Sequence, residues 1–370
     1  MEGDLRIVIA GGGTGGHLYP GIAVARELLN RRPTATVTFA GTARGIESRV
    51  VPREGFALDL IRSGGLKGKS IAGAVKGASL IPLGMLDAWR ILSHRQPDLV
   101  IGVGGYSSGP VVLTAALRSV PTMLLEQNAV PGLTNRLLAR FVQSAAVTYQ
   151  STTAFFGSKA FVSGNPVRPE FIDGVAAVRN RESRHATGAG PVRVLVFGGS
   201  QGAHALNLAM VDAAPTLVEA RVPIRLTHQT GDRDVEMVRA GYRAAGLDAD
   251  VEPFLYDMGR RVRDADLVVS RAGATTLSEL AAAGTPSVLV PLPTAADDHQ
   301  RRNAEAFAAA GAAEVLLQPD ASGTVLAGRI IELAGDAGRR TAMGAAARGL
   351  ARVDAARAIV DRALALVRRG

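Results

Sequence analysis

Leu5-Arg6-Ile7-Val8-Ile9-Ala10-Gly11-Gly12-Gly13-Thr14-Gly15-Gly16-His17 decides how this chain is read. The apolar run before Gly11 has the length and composition of a buried β-strand. After the glycines, Pro20-Gly21-Ile22-Ala23-Val24-Ala25-Arg26-Glu27-Leu28-Leu29 has helical spacing, and a helix starting there would carry Pro20 in its first turn, where proline is tolerated. Strand, glycine loop and helix together aim backbone N–H groups and a helix N-terminus at an anion such as a phosphate. The pattern recurs at Val192-Arg193-Val194-Leu195-Val196-Phe197, Gly198-Gly199-Ser200-Gln201-Gly202-Ala203 and a helical stretch from about Ala205. Two such units predict two halves built alike, with a cleft between them.

Strand–helix alternation fills both halves. Strands are expected at Thr36–Ala40, Asp98–Val103 and Thr122–Leu125, with a helix between Gly45 and Pro52. In the second half they are expected at Ile224–Thr227, Val251–Phe254, Leu267–Ser270 and Ser287–Val290. This alternation predicts α/β folding with parallel sheets covered on both faces. Ligands of such sheets bind at the carboxyl ends of the strands. Gly104-Gly105-Tyr106-Ser107-Ser108-Gly109-Pro110 and Glu126-Gln127-Asn128 fall at such ends. Val162-Ser163-Gly164-Asn165-Pro166-Val167-Arg168-Pro169 reads as a hinge between the halves, Arg179–Gly190 as a polar surface loop, and Asp354–Arg368 as an amphipathic helix with a basic outer face.

The chain has 370 residues, enough for two domains, and is 47% hydrophobic with only 4% aromatic residues, so its core is built from Ala, Val, Leu and Ile. It has no cysteine, which excludes disulfides and thiolate metal sites and fits a reducing compartment. No signal peptide and no membrane span are expected. A net charge of +9 calls for acidic partners, yet no basic-aromatic run, zinc-finger spacing or RNP-like strand points to nucleic acid. Between Arg62 and Leu86 the basic residues Arg62, Lys67, Lys69 and Lys76 stand without an acid among Ile71, Val75, Leu80, Ile81, Leu83, Met85 and Leu86, followed by the single tryptophan, Trp89. Segment 62–89 reads either as an amphipathic helix packed on the sheet or as a basic, apolar face resting on an anionic membrane.

Gly11, Gly13 and Gly16 satisfy the spacing of a dinucleotide fingerprint, but the next strand ends Phe39-Ala40-Gly41-Thr42 with no acid before Glu47 to hold a ribose. A nicotinamide enzyme is therefore disfavoured. His17 closes the first loop as a general base, or as a packing and capping residue. Glu279, two turns into the helix begun by Arg271-Ala272-Gly273-Ala274-Thr275-Thr276-Leu277-Ser278, can accept hydrogen bonds from a sugar diol or lie on a helix surface. Asp297–Asn303 sits at another strand end. The triplets Asp248–Asp250 and Asp264–Asp266 each precede an expected strand and read as surface turns at the opposite edge, so no metal is expected.

Taken together, Gly12–His17 with Pro20-Gly21, Gly104–Pro110, Glu126–Asn128, Gly164–Arg168, Gly198–Ala203, Arg271–Glu279 and Gln300 with Asn303-Ala304 resemble the MurG family of bacterial glycosyltransferases. Those enzymes add N-acetylglucosamine to undecaprenyl-linked muramyl-pentapeptide. The resemblance implies a GT-B fold, two Rossmann-like domains with parallel sheets facing an interdomain cleft. It assigns 1–164 to the acceptor and membrane, 165–353 to UDP-N-acetylglucosamine, and returns helix 354–370 to the first domain. It implies inverting, metal-independent transfer to the muramyl C4 hydroxyl, with no cofactor and His17 as base. Donor contacts would come from Thr14, Gly15, Gly16, Asn128, Arg168, Ser200, Gln201, Leu255, Ala274, Thr275, Thr276, Glu279 and Gln300. Acceptor contacts would come from Gly13, Gly104, Gly105, Tyr106, Ser107 and Glu126. The implied partners are the donor, the lipid-linked acceptor, an anionic membrane surface on the cytoplasmic face and other cell-wall synthesis proteins, not nucleic acid. Competing readings are a GT-B transferase with another lipid or natural-product acceptor, and a non-catalytic nucleotide-binding module.

Overall fold

The computed structural model describes residues 4–64, 71–172, 190–199 and 202–368. The chain forms two compact units, Met1–Val167 with Arg352–Gly370, and Arg168–Ala351. Among the described residues the first unit holds one parallel sheet of β1 (Arg6–Gly11), β2 (Thr36–Gly41), β3 (Ala57–Leu60), β4 (Leu99–Gly104), β5 (Thr122–Glu126), β6 (Ser144–Val147) and β7 (Ala160–Val162). Their order is β3-β2-β1-β4-β5-β6-β7. Alternation along each strand divides the core between the two faces. Ile7, Ile9, Val37, Phe39, Ile101 and Met123 pack on one side with helix Gly15–Arg31. Val8, Ala10, Val100 and Leu124 pack on the other, against Ile91, Leu92, Val111 and Val112.

The C-terminal helix, Ala355–Val367, returns to the first unit, where Ile359, Val360 and Ala363 are fully buried beside helix Gly15–Arg31. Gly164 lets it arrive: at φ +78°, a Cβ there would stand 2.3 Å from the Cβ of Arg352.

The second unit repeats the plan with β8 (Val192–Phe197), β9 (Ile224–Gln229), β10 (Ala249–Glu252), β11 (Leu267–Ser270), β12 (Ser287–Leu289) and β13 (Ala313–Val315), ordered β10-β9-β8-β11-β12-β13. In both sheets the chain winds outward from its first strand, then crosses back to that strand's other side. The loops after β1 and β4, and after β8 and β11, therefore diverge from neighbouring carboxyl ends, which opens a crevice for a ligand in each unit.

Three expectations change. Helix Gly15–Arg31 starts five residues earlier than the position of Pro20 implied, so His17 lies in its first turn and Pro20 inside it. The strand expected at 251–254 is β10 at 249–252, which takes Asp250 into the strand; its carboxylate pairs with Arg261 at 2.9 Å. Helix Ile71–Arg95 occupies most of the 62–89 segment, with Arg62 held by Asp87 at 2.6 Å, so that cation is neutralised locally.

Beneath the second unit's glycine loop runs a buried polar chain. His228, fully buried, meets the Tyr242 hydroxyl at 2.6 Å through Nδ1 and the Asn207 side-chain oxygen at 3.1 Å through Nε2. The Asn207 amide donates to the Thr230 carbonyl at 2.9 Å and to Asp234 at 2.8 Å, which ties the start of helix His204–Glu219 to the loop after β9. Burial pushes the imidazole of His228 down to about 3, so it stays neutral in the native state. The unfolded chain takes up this proton near the ordinary value of 6.5, so stability is complete above that pH and falls as pH drops from 6.5 towards 3. Urea midpoints measured across this window should fall less steeply in His228→Gln than in the parent; equal slopes would remove His228 as the source.

Candidate active site

In the first unit the two glycine loops touch. Gly11, at φ +142°, would drive a Cβ to 2.4 Å from the Gly104 carbonyl, and Gly105, at φ +80°, to 2.4 Å from the Gly12 carbonyl. Only residues without Cβ fit both sides of this approach. The Gly12 amide donates to the Gly104 carbonyl at 3.3 Å. Thr14 is the N-cap residue of helix Gly15–Arg31, its extended backbone turning the chain into the helix. Its hydroxyl lies 3.3 Å from Nδ1 of His17, and a Cβ on Gly104 would reach within 2.8 Å of the His17 ring. The imidazole is thus laid across the second glycine loop, with Gly13 and Thr14 exposed beside it and Gly15 and Gly16 continuing into the helix.

Tyr106 is half-exposed on that loop, whereas Ser107 is buried. Glu126, at the carboxyl end of β5, is only 2% exposed. It accepts from the Asn128 amide at 3.0 Å, the Asn128 side chain at 3.3 Å, the Gly132 amide at 3.0 Å and Asn135 at 2.9 Å. Burial raises its pKa, and these bonds oppose the rise. These bonds tie Asn128, Gly132 and Asn135 to the end of β5.

In the second unit the loop after β8 closes tightly: a Cβ on Gly202, at φ +75°, would lie 1.8 Å from the Thr230 carbonyl. The Gly202 amide donates to the Gly199 carbonyl at 2.9 Å. Ser200 and Gln201 lie outside the described residues. After β11, Gly273 caps helix Ala274–Ala283, whose first turns carry Ala274, Thr275 and Thr276. Glu279, 7% exposed on this helix, accepts from Arg168 through Nε at 3.1 Å and Nη2 at 2.7 Å. Burial raises the Glu279 pKa against the pull of this guanidinium. Among the described residues both hydrogen bonds to the carboxylate end on Oε1. Leu255 follows β10 with its side chain buried, and Gln300 accepts from the Leu292 amide at 3.0 Å.

The described positions lie at or after carboxyl strand ends. Arg271 has an architectural task, donating to the Val290 carbonyl at 2.9 Å and Gln318 at 2.7 Å. Asp266 is at the opposite edge, accepting from the Arg193 amide at 2.8 Å.

Sequence reasoning missed Glu47. It is 1% exposed, and its carboxylate accepts from the Gly13 amide at 2.7 Å and from both the amide and hydroxyl of Thr42 at 2.8 Å. Its only signal in the sequence was the pair Gly41-Thr42 and Gly45 beside it, glycines without an evident turn to serve.

Fold and site define a two-domain GT-B glycosyltransferase. Residues 7–147 match the glycosyltransferase family 28 N-terminal domain and residues 193–359 its C-terminal domain. A relative from Anaeromyxobacter sp. (strain K), named UDP-N-acetylglucosamine--N-acetylmuramyl-(pentapeptide) pyrophosphoryl-undecaprenol N-acetylglucosamine transferase, is 49% identical over 99% of this chain and 94% of its own. One of the same name from Geobacter sulfurreducens is 45% identical over 99% of this chain and 100% of its own. The crystal structure of Acinetobacter baumannii MurG superimposes with a TM-score of 0.77 at 32% identity, covering 98% of this chain and 99% of that one. The chain belongs to the MurG family of N-acetylglucosaminyltransferases within glycosyltransferase family 28.

Proposed function

We infer that this chain transfers N-acetylglucosamine from UDP-N-acetylglucosamine to the C4 hydroxyl of undecaprenyl-diphospho-N-acetylmuramoyl-pentapeptide, with inversion to a β-1,4 linkage and without a metal. The observation that carries this reading is the His17 imidazole in the first turn of a helix, laid over Gly104 between two glycine loops. A hydroxyl attacking an oxocarbenium-like carbon must lose its proton, and a fixed imidazole is suited to take it. The acceptor diphosphate falls to the loops at Gly13 and Gly104–Ser107, and Asn128 lies at the donor's diphosphate and sugar.

The second unit holds the donor. Glu279 accepts from the ribose diol, the backbone at Leu255 meets the uracil, and Ala274, Thr275, Thr276 and Gln300 surround diphosphate and sugar. Arg168 and the N-terminus of helix His204–Glu219, with Ser200 and Gln201, stabilise charge on departing UDP. Thr14, Gly15 and Gly16 complete the donor contacts. Treating the purified chain with both substrates should give a product heavier by one N-acetylhexosamine, with a β anomeric coupling; an α product would contradict in-line attack.

The chain works as a peripheral protein on the cytoplasmic face of the membrane. No helix among the described residues is long and apolar enough to cross a bilayer. Ile81, Leu83, Leu86 and Trp89 are exposed on helix Ile71–Arg95, with the Arg118 guanidinium 4.7 Å from the Trp89 ring and Leu117 exposed beside it. Lys67 and Lys69 lie outside the described residues. An apolar face with a guanidinium stacked on its tryptophan suits an anionic interface. The double variant Leu86→Ser, Trp89→Ser should lose roughly tenfold in binding to phosphatidylglycerol vesicles, from lost apolar burial, yet keep turnover on a water-soluble acceptor. Unchanged vesicle binding would place the membrane contact elsewhere. Contacts with other cell-wall synthesis proteins belong to the same setting.

A further inference from the structure

We propose that Glu47 is a positioning residue that sets the first glycine loop and, through it, the place of His17. Glu47 begins helix Glu47–Arg53, 34 positions after Gly13 in sequence, yet its Oε2 receives the Gly13 amide at 2.7 Å. Its Oε1 receives the Thr42 amide and hydroxyl, both at 2.8 Å. One carboxylate therefore joins the end of β2 to the loop after β1. In dinucleotide-binding folds an acid near the end of the second strand reaches a ribose; here the acid turns inward and takes a loop N–H itself.

Three glycines make room for this side chain. A Cβ on Gly12 would lie 2.6 Å from the carboxylate carbon, one on Gly41 2.6 Å from Cγ, and one on Gly45 2.1 Å from Oε2. Gly12 and Gly45 thus serve the packing of a carboxylate. The Gly13 N–H is engaged by this side chain inside the loop.

The path to the base is short. Gly13 leads to Thr14, whose carbonyl accepts from the His17 and Leu18 amides at 3.3 and 3.2 Å and whose hydroxyl faces the imidazole. Gly104 and Gly105 hold the loop from one side and Glu47 from the other. Fixing a loop that carries a general base matters because a displacement of about 1 Å at the reacting atoms can cost on the order of a hundredfold in rate.

This inference rests on the transferase reading, and its test separates the two. In Glu47→Gln the side-chain NH2 must oppose either the Gly13 amide or the Thr42 donors, so the loop shifts. The expected result is a fall in kcat of roughly 10- to 100-fold, with donor KM within about twofold of the parent. UDP-binding stoichiometry should be unchanged, because most donor contacts come from the second unit. The NMR resonances of the His17 ring should move as well, whether or not the parent turns over. Should Glu47→Gln not fold, Thr42→Val removes one donor to the carboxylate and should lower kcat roughly three- to tenfold while moving the same resonances. An active parent with equally active variants, unmoved His17 resonances, or a kcat that falls only in step with UDP-binding stoichiometry would overturn the proposal. A parent without acceptor-dependent UDP release would fail the transferase reading instead, leaving the resonances to decide the role of Glu47.

Discussion

His17→Ala is expected to lower kcat by roughly 10²- to 10⁴-fold, the usual worth of a positioned general base, with the dissociation constant of UDP-N-acetylglucosamine nearly unchanged. The direction follows from place and chemistry. The imidazole sits in the first turn of helix Gly15–Arg31 and lies over Gly104, away from any burial that would give it a purely packing task; it is partly exposed. Removing it leaves no core void, so loss of folding does not explain a lost rate. Steady-state kinetics at saturating donor, together with calorimetric titration of the donor, separates the terms. An alanine variant with parental kcat would take His17 out of the proton transfer. One that lost donor affinity and rate together would make it a binding residue.

The second large effect is expected at Glu279, and it has the opposite signature. Glu279→Gln should weaken UDP-N-acetylglucosamine binding by roughly 10- to 100-fold, as hydrogen bonds to a charged acceptor are worth about 1.5–3 kcal/mol each, while kcat at saturation stays within a few-fold. The carboxylate is buried with the Arg168 guanidinium on Oε1, so the neutral amide also loosens that cation. The lost ribose contact weakens donor binding, and the loosened guanidinium accounts for the few-fold change allowed in kcat; neither acts on the proton transfer. If kcat fell as far as in His17→Ala while donor KM held, Glu279 would belong to the chemistry instead of the ribose.

The architecture was legible where backbone demands special residues. Gly11, Gly12, Gly13, Gly104, Gly105, Gly198, Gly199 and Gly202 stand where close approach or positive φ excludes a Cβ, so a glycine-rich turn was legible after β1, β4 and β8. Long apolar strands such as β1 and β4 were legible for the same kind of reason, being buried on both faces. The edge strands β3, β7 and β13 were not. They have only three or four residues, half-buried, without the apolar run that marks a central strand.

At the site, spacing located the loops but could not orient carboxylates. Glu126 stood in a motif, but its four donors from 128–135 could not be read from it. Glu47 was passed over because nothing local distinguishes an acid at a helix start from one folded under a loop 34 residues earlier. The helix start was misplaced because Pro20 was taken as a boundary, although the turns before it are formed by glycines and His17. In each case tertiary hydrogen bonding decided what sequence position left open.

The central claim is acceptor-dependent transfer without a metal, and its most direct test is UDP release from UDP-N-acetylglucosamine with and without undecaprenyl-linked muramyl-pentapeptide, in excess chelator. The account predicts release that requires the acceptor and survives the chelator. Donor binding without acceptor-dependent release would contradict the assigned acceptor, and turnover abolished by the chelator would contradict the metal-free chemistry.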